Sequence, residues 1–127
     1  MDLKSFIRDV PDYPSAGILF RDLTPVMANP QAMRHVTETL CVHLSEKGIQ
    51  VIAAIDARGF IFGAPVAAEL GVPFVPLRKS GKLPPPVVGV DYALEYGTAR
   101  LEAAESALSS HQRVAIIDDL LATGGTA

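Results

Sequence analysis

The chain has 127 residues, room for one domain of ordinary size. A hydrophobic share of 49% beside 20% charged residues excludes a disordered chain, and a net charge of −3 argues against a protein that grips nucleic acid electrostatically. One cysteine, Cys41, cannot form an internal disulfide, and no apolar run approaches the roughly 18 residues that span a bilayer.

The first residues, Met1-Asp2-Leu3-Lys4, lack a basic segment followed by an apolar run, so the sequence predicts a cytoplasmic protein. Leu3, Phe6, Ile7 and Val10 recur at helical spacing, which predicts a short amphipathic helix ended by Pro11 and Pro14. Residues 14–25 read as an irregular segment. A second helix is predicted after Asn29, a good cap, with Pro30 at its first position. Met33, Val36, Leu40 and Leu44 form its buried stripe, Cys41 reads as a buried thiol on it, and Gly48 closes it.

Residues 51–55 (VIAAI) are apolar throughout, the texture of a strand buried on both faces. A loop at 56–59, a helix at 60–70 capped by Gly71, and a strand at 72–77 complete a βαβ unit with parallel pairing and a right-handed crossover. Residues 78–86 read as a loop, with Gly81, three consecutive prolines and three cations, Arg78, Lys79 and Lys82. Two short strands at 92–96 and 100–102 turn at Gly97. A short helix at 105–109 and a buried strand at 113–117 follow. The alternation predicts an α/β fold with a mostly parallel central sheet flanked by helices.

The last strand feeds Asp118-Asp119-Leu120-Leu121-Ala122-Thr123-Gly124-Gly125-Thr126. Ligands of open α/β sheets bind outside the carboxyl ends of the strands. Two adjacent acids there need a cationic or hydroxylic partner. Two glycines between threonines let backbone N–H groups converge on one concave space, the way a loop cradles phosphate. An ordinary strand-to-helix turn capped by the acids is the alternative. The other common phosphate loops, GxxxxGK(S/T) and GxGxxG, do not occur in this segment.

Residues 114–126 (VAIIDDLLATGGT) resemble the phosphoribosyl-pyrophosphate motif of the type I phosphoribosyltransferases. Four upstream segments resemble the adenine-specific branch in the same order: 17–25 (GILFRDLTP), 56–63 (DARGFIFG), 78–84 (RKSGKLP) and 94–98 (LEYGT). The resemblance implies a single type I phosphoribosyltransferase domain over residues 1–127, with a base-binding hood at 1–30, a core at 48–127 and a flexible lid loop. Family members continue past the position of Thr126, so it also implies a C-terminally shortened chain that lacks later elements.

The implied reaction is adenine plus phosphoribosyl pyrophosphate giving AMP and pyrophosphate. The resemblance gives Asp118 and Asp119 to the ribose hydroxyls, and Ala122, Thr123, Gly124, Gly125 and Thr126 to the 5′-phosphate. Arg58, Lys79 and Lys82 become pyrophosphate ligands. Phe20 stacks on adenine while the backbone at Leu19 and Arg21 reads its edge, and Glu95 takes an acid–base role near the base. Without the resemblance, Arg58 could be tied to a local acid, the lysines could be solvated, Phe20 could be core and Glu95 an exposed strand acid. The resemblance implies Mg²⁺ bridging substrate oxygens with few protein ligands, a homodimer, and neither nucleic acid nor membrane as partner. A phosphoribosyltransferase for another base, or a non-catalytic sensor of the sugar phosphate, are the competing readings.

Overall fold

The computed structural model describes residues 1–94 and 96–120. The chain divides into two compact units, Met1–Thr39 and Leu40–Ala127.

In the first unit a 3-10 turn, Leu3–Phe6, is capped by Asp2, whose carboxylate accepts from the Lys4 N–H at 3.1 Å. Two strands follow, β1 (Arg8–Pro11) and β2 (Leu19–Asp22), paired antiparallel with Arg8 opposite Asp22. This hairpin corrects the expected amphipathic helix and the expected irregular segment. Cross-strand charge pairs outweigh the local periodicity: Arg8 meets Asp22 at 2.9 Å and Arg21 faces Asp9 at 3.6 Å. The connecting loop turns through Gly17 at φ +83°, whose N–H donates to the Asp12 carboxylate at 2.9 Å.

Asp22 is buried and organises what comes next. Its carboxylate accepts from the N–H of Thr24 at 2.9 Å and from the Thr24 hydroxyl, opening the short helix α1 (Thr24–Met27). Helix α2 (Pro30–Ser45) starts as expected, with the Asn29 side chain accepting from the Ala32 N–H at 2.9 Å. Its most buried side chains are Ala32, Cys41 and Leu44, while Met33, Val36 and Leu40 are half-buried. Burial pushes the Cys41 thiol up, which suits an inert core residue.

The second unit is built on a five-stranded sheet. Strand β3 (Val51–Ile55) is buried at every residue, and β4 (Phe74–Lys79) pairs parallel to it through helix α3 (Arg58–Leu70). Strands β5 (Val87–Leu94) and β6 (Gly97–Ala104) form a long antiparallel hairpin whose inner strand joins β4, and β7 (Val114–Ile117) pairs parallel with β3. The order is β5-β6-β4-β3-β7. The α/β class stands, and the sheet is mixed: the β3, β4 and β7 pairings are parallel, those of the hairpin antiparallel.

Three local expectations change with it. Arg78 and Lys79 belong to β4, because Glu102 and Leu101 of β6 pair with them. The residues after Glu105 make only a 3-10 turn, Glu105–Ala107. Strand β7 is an edge among the described residues, so Val114 and Ile116 are 37% and 50% exposed instead of buried.

One face of the sheet carries α3. Gly63 allows this contact: a Cβ there would stand 2.7 Å from the Ala54 methyl and 3.2 Å from the Phe74 ring. Gly71, at φ +69°, ends α3 in the left-handed conformation, as a C-terminal glycine does. The other face gathers Val51, Ala53, Val75 and Ala103, with Leu77, Ala107 and Leu108 against them. Among the described residues, no helix is long and apolar enough to cross a membrane.

Candidate active site

Parallel pairing brings the carboxyl ends of β3, β4 and β7 to one edge of the sheet. Each ends on a charged residue: Asp56 after β3, Lys79 at the end of β4, Asp118 after β7. Helix α3 opens on Arg58 beside them. The result is a cleft of about 310 Å³, lined by Asp56, Arg58, Lys79 and Asp118, with Tyr92 and Leu94 of β5 as its apolar side. Tyr92 and Leu94 reach it together because alternate residues of a strand share a face.

The start of α3 lies directly against the end of β7. A Cβ on Gly59 would meet the Ile117 carbonyl oxygen at 2.7 Å and the Asp118 Cα at 3.3 Å, so only glycine permits this approach. The closeness has an electrostatic consequence. Arg58 Nε stands 2.9 Å from Asp119 Oδ2, an ion pair in which the carboxylate is only 8% exposed and the guanidinium 57%. The Asp119 N–H in turn donates to Asp118 Oδ1 at 2.8 Å. Burial pushes the Asp119 carboxyl up, its contact with Asp118 pushes the same way, and Arg58 opposes both.

A second bracket lies beside the first. Arg78 Nε donates to Asp56 Oδ2 at 2.8 Å, and Arg78 Nη1 donates to the Lys82 carbonyl at 3.2 Å. The peptide bond after Asp56 is cis. On β6 the buried Glu102 accepts from the Gly81 N–H at 3.1 Å and from Arg100 Nε at 3.0 Å. Gly89 makes room for that arginine, since a Cβ there would lie 2.8 Å from the guanidinium.

The cleft therefore brings together Arg58, Lys79 and Asp118, with Asp119 joined to them through Arg58. Lys82 does not line it; it is exposed in the turn after β4. Leu19, Phe20 and Arg21 lie on β2 in the N-terminal unit. There Phe20 is half-buried and meets Tyr13 edge-on at 5.2 Å, while Leu19 and Arg21 are exposed. Glu95 and Ala122, Thr123, Gly124, Gly125 and Thr126 lie outside the described residues.

Sequence reasoning missed Asp56, Arg78, Tyr92 and Glu102. Asp56 and Arg78 each opened a recognised segment, but nothing in the sequence joined residues 22 apart. Tyr92 could have been found from strand alternation, had β5 been given its full length.

Two cations and two carboxylates around an open cleft at strand ends suit a ligand that is both anionic and rich in hydroxyls: the guanidinium and ammonium for phosphate oxygens, the carboxylates for hydroxyl donors. Comparison with known proteins agrees. Residues 24–127 match the family model described as the phosphoribosyl transferase domain. An adenine phosphoribosyltransferase from Synechococcus sp. (strain RCC307) is 58% identical over 125 residues, covering 98% of this chain and 71% of the relative. The crystal structure of adenine phosphoribosyltransferase from Thermoanaerobacter pseudethanolicus superposes with a TM-score of 0.91 at 50% identity, covering 98% of this chain and 73% of that one. The Saccharomyces cerevisiae enzyme, solved with an imino-altritol bisphosphate and adenine, gives a TM-score of 0.92 at 39% identity with the same coverage. The chain belongs to the phosphoribosyltransferase family, in its adenine phosphoribosyltransferase branch.

Proposed function

We infer that this chain transfers the 5-phosphoribosyl group from phosphoribosyl pyrophosphate to adenine, giving AMP and pyrophosphate. The observation that carries this is the cleft where β3, β4 and β7 end, with Arg58, Lys79 and Asp118 around one space and Asp119 paired to Arg58. The identity with adenine phosphoribosyltransferases across 98% of the chain gives the base.

In this reading a nitrogen of adenine forms its bond to C1 of the ribose as the bond from C1 to pyrophosphate breaks. Positive charge gathers on the sugar and negative charge on the leaving group. Arg58 and Lys79 stabilise the departing pyrophosphate, assisted by Lys82 from the adjoining turn. Asp118 and Asp119 take the ribose hydroxyls, which fixes the ring for in-line displacement. Residues 122–126 hold the 5′-phosphate. Phe20 stacks on adenine, the backbone at Leu19 and Arg21 reads its edge, and Glu95 takes up the proton that the attacking nitrogen gives away.

Magnesium belongs to the same reading. Among the described residues no cluster of three acidic, histidine or cysteine side chains could cage a metal alone, so an ion would arrive mainly on substrate oxygens, with Asp118 as a hard donor facing the cleft. Bound there, it would neutralise pyrophosphate charge. The family resemblance likewise supports a cytoplasmic location and a homodimer, the latter tested by sedimentation of the purified chain.

The deciding experiment is AMP formation from adenine and phosphoribosyl pyrophosphate with Mg²⁺, run beside hypoxanthine, guanine and xanthine. Turnover on adenine alone is expected. Binding of the sugar phosphate without turnover on any base would instead favour a sensor.

A further inference from the structure

The turn between β1 and β2 is closed by its own hydrogen bonds. Asp12 turns the chain at φ +56°, its carboxylate accepts from the Gly17 N–H at 2.9 Å, and the Tyr13 N–H donates to the Ile18 carbonyl at 3.1 Å. The backbone of Tyr13 is thereby fixed, yet the residue is 54% exposed, so burial in the core does not account for its ring. That ring meets Phe20 of β2 with centroids 5.2 Å apart and planes at 76°, an edge-to-face pair. We propose that Tyr13 is a positioning residue for base recognition, holding the Phe20 ring in the orientation in which it stacks on adenine.

The proposal rests on the reading of Phe20 as the ring that stacks on the base. Phe20 is half-buried on a strand of a two-stranded sheet. The backbone beneath it is held on both sides. On one side is the Asp12–Gly17 closure of the turn, and on the other Asp22, two residues along the same face, which accepts from Arg8 and from the Thr24 N–H. The freedom left is rotation of the ring about its own side-chain bonds. Val10 stands opposite Phe20 in register, but an aliphatic neighbour does not set the plane of a ring. An aromatic partner does, because the attraction between edge and face favours particular mutual angles. The perpendicular arrangement also leaves room for the base: Tyr13 covers at most one face of Phe20, and the other is available to a planar ligand. The contact is between rings, so it does not call on the phenol hydroxyl.

The test compares the wild-type chain with Tyr13→Leu, Tyr13→Phe, Phe20→Leu and the double variant Tyr13→Leu/Phe20→Leu in AMP synthesis. Loss of the ring in Tyr13→Leu should raise the KM for adenine by roughly two- to tenfold, the worth of one aromatic pair, while the KM for phosphoribosyl pyrophosphate stays at the wild-type value. Tyr13→Phe keeps the ring and should keep the wild-type KM for adenine. In the Phe20→Leu background the Tyr13→Leu change should cost nothing further, because its effect runs through Phe20. Without ligand, the NMR resonances of the Phe20 ring protons, which lie in the ring current of Tyr13, should shift in Tyr13→Leu. An unchanged KM for adenine in Tyr13→Leu would overturn the proposal, and so would an equal rise in both KM values or a further loss in the double variant. Tyr13→Phe as poor as Tyr13→Leu would overturn it too, by assigning the effect to the hydroxyl. Should Tyr13→Leu fail to fold, Tyr13→Met replaces it and the same outcomes apply. A wild-type chain that makes no AMP and binds no adenine would sink the functional reading, whereas Phe20 resonances that stay in place in Tyr13→Leu would sink the role of Tyr13 alone.

Discussion

Arg58 and Asp119 are joined Nε to Oδ2 at 2.9 Å, with the carboxylate almost wholly buried and the guanidinium more than half exposed. The asymmetry gives each partner a different task. Asp119 is fixed by its surroundings, whereas Arg58 lines the cleft and, among the described residues, uses only Nε on Asp119. A pyrophosphate bound by Arg58 and a ribose bound by Asp119 would therefore be linked through one ion pair.

Removing the arginine tests this. Arg58→Ala should cut turnover by roughly 10²–10³, the loss typical of one charge-stabilising donor. A pH effect should accompany it. Arg58 opposes the burial that pushes the Asp119 carboxyl up, so without it that carboxyl rises further. The acid limb of sugar-phosphate binding, where Asp119 becomes protonated, should then move to higher pH. Binding titrations between pH 4 and 8 decide it; an acid limb that stays in place would separate Asp119 from ribose recognition.

Glu95→Gln isolates the proton. The amide keeps the size of the side chain and loses its basicity, so turnover should fall more than binding of the sugar phosphate weakens. Rapid-quench kinetics beside equilibrium titration measures both. Equal losses would assign Glu95 a structural part.

How far the sequence could be read follows from the range of the forces involved. Helix α2 and the β3-α3-β4 unit were legible because Asn29, Pro30 and Gly71 act locally and VIAAI has one plausible burial. The N-terminal hairpin was not, and the second, expected as two short strands turning at Gly97, was legible at its turn but not in the length of its strands. Arg8 with Asp22 and Asp91 with Arg100 are cross-strand pairs, and helical periodicity at Leu3, Phe6, Ile7 and Val10 carried no information about them. The same division runs through the site. Asp118 stood out as an acid at a strand end, whereas Arg58 and Lys79 were singled out by the family resemblance. The Arg78–Asp56 bracket needed β3 and β4 in register before it could be seen.

Asp22 gives a prediction about acid. The Thr24 N–H and hydroxyl, then Arg8, hold its carboxyl below the usual aspartate range. A depressed carboxyl stabilises the fold at pH values above its ordinary value of about 3.9, and that contribution fades as pH falls through the lower native value. Wild type should therefore be more stable than Asp22→Asn at pH 7, with the gap closing below about pH 4. Urea unfolding of both at several pH values measures it; a gap independent of pH would mean that Asp22 acts only as a hydrogen-bond acceptor.

Two glycines of α3 separate packing from function. Gly63 faces Ala54 and Phe74 inside the helix–sheet contact, and Gly59 faces Ile117 and Asp118 at the cleft. Alanine at either position meets an atom at 2.7 Å, one a methyl and the other a backbone carbonyl. Overfilling of this kind costs about 1–3 kcal/mol, so both variants should lose stability to a similar extent. Their effects on the site should differ. Gly63→Ala pushes the helix from the sheet at a contact with Ala54 and Phe74, more than a turn past Arg58 and away from Asp118, and its affinity for phosphoribosyl pyrophosphate should stay within about threefold of wild type, under 1 kcal/mol. Gly59→Ala must move Asp118 or the residue next to Arg58, so the Arg58–Asp119 distance changes and affinity should fall at least tenfold, the equivalent of about 1.4 kcal/mol. Calorimetric titration at a temperature where both variants are folded makes the comparison, and equal affinities would show that the close approach of α3 to β7 serves packing alone.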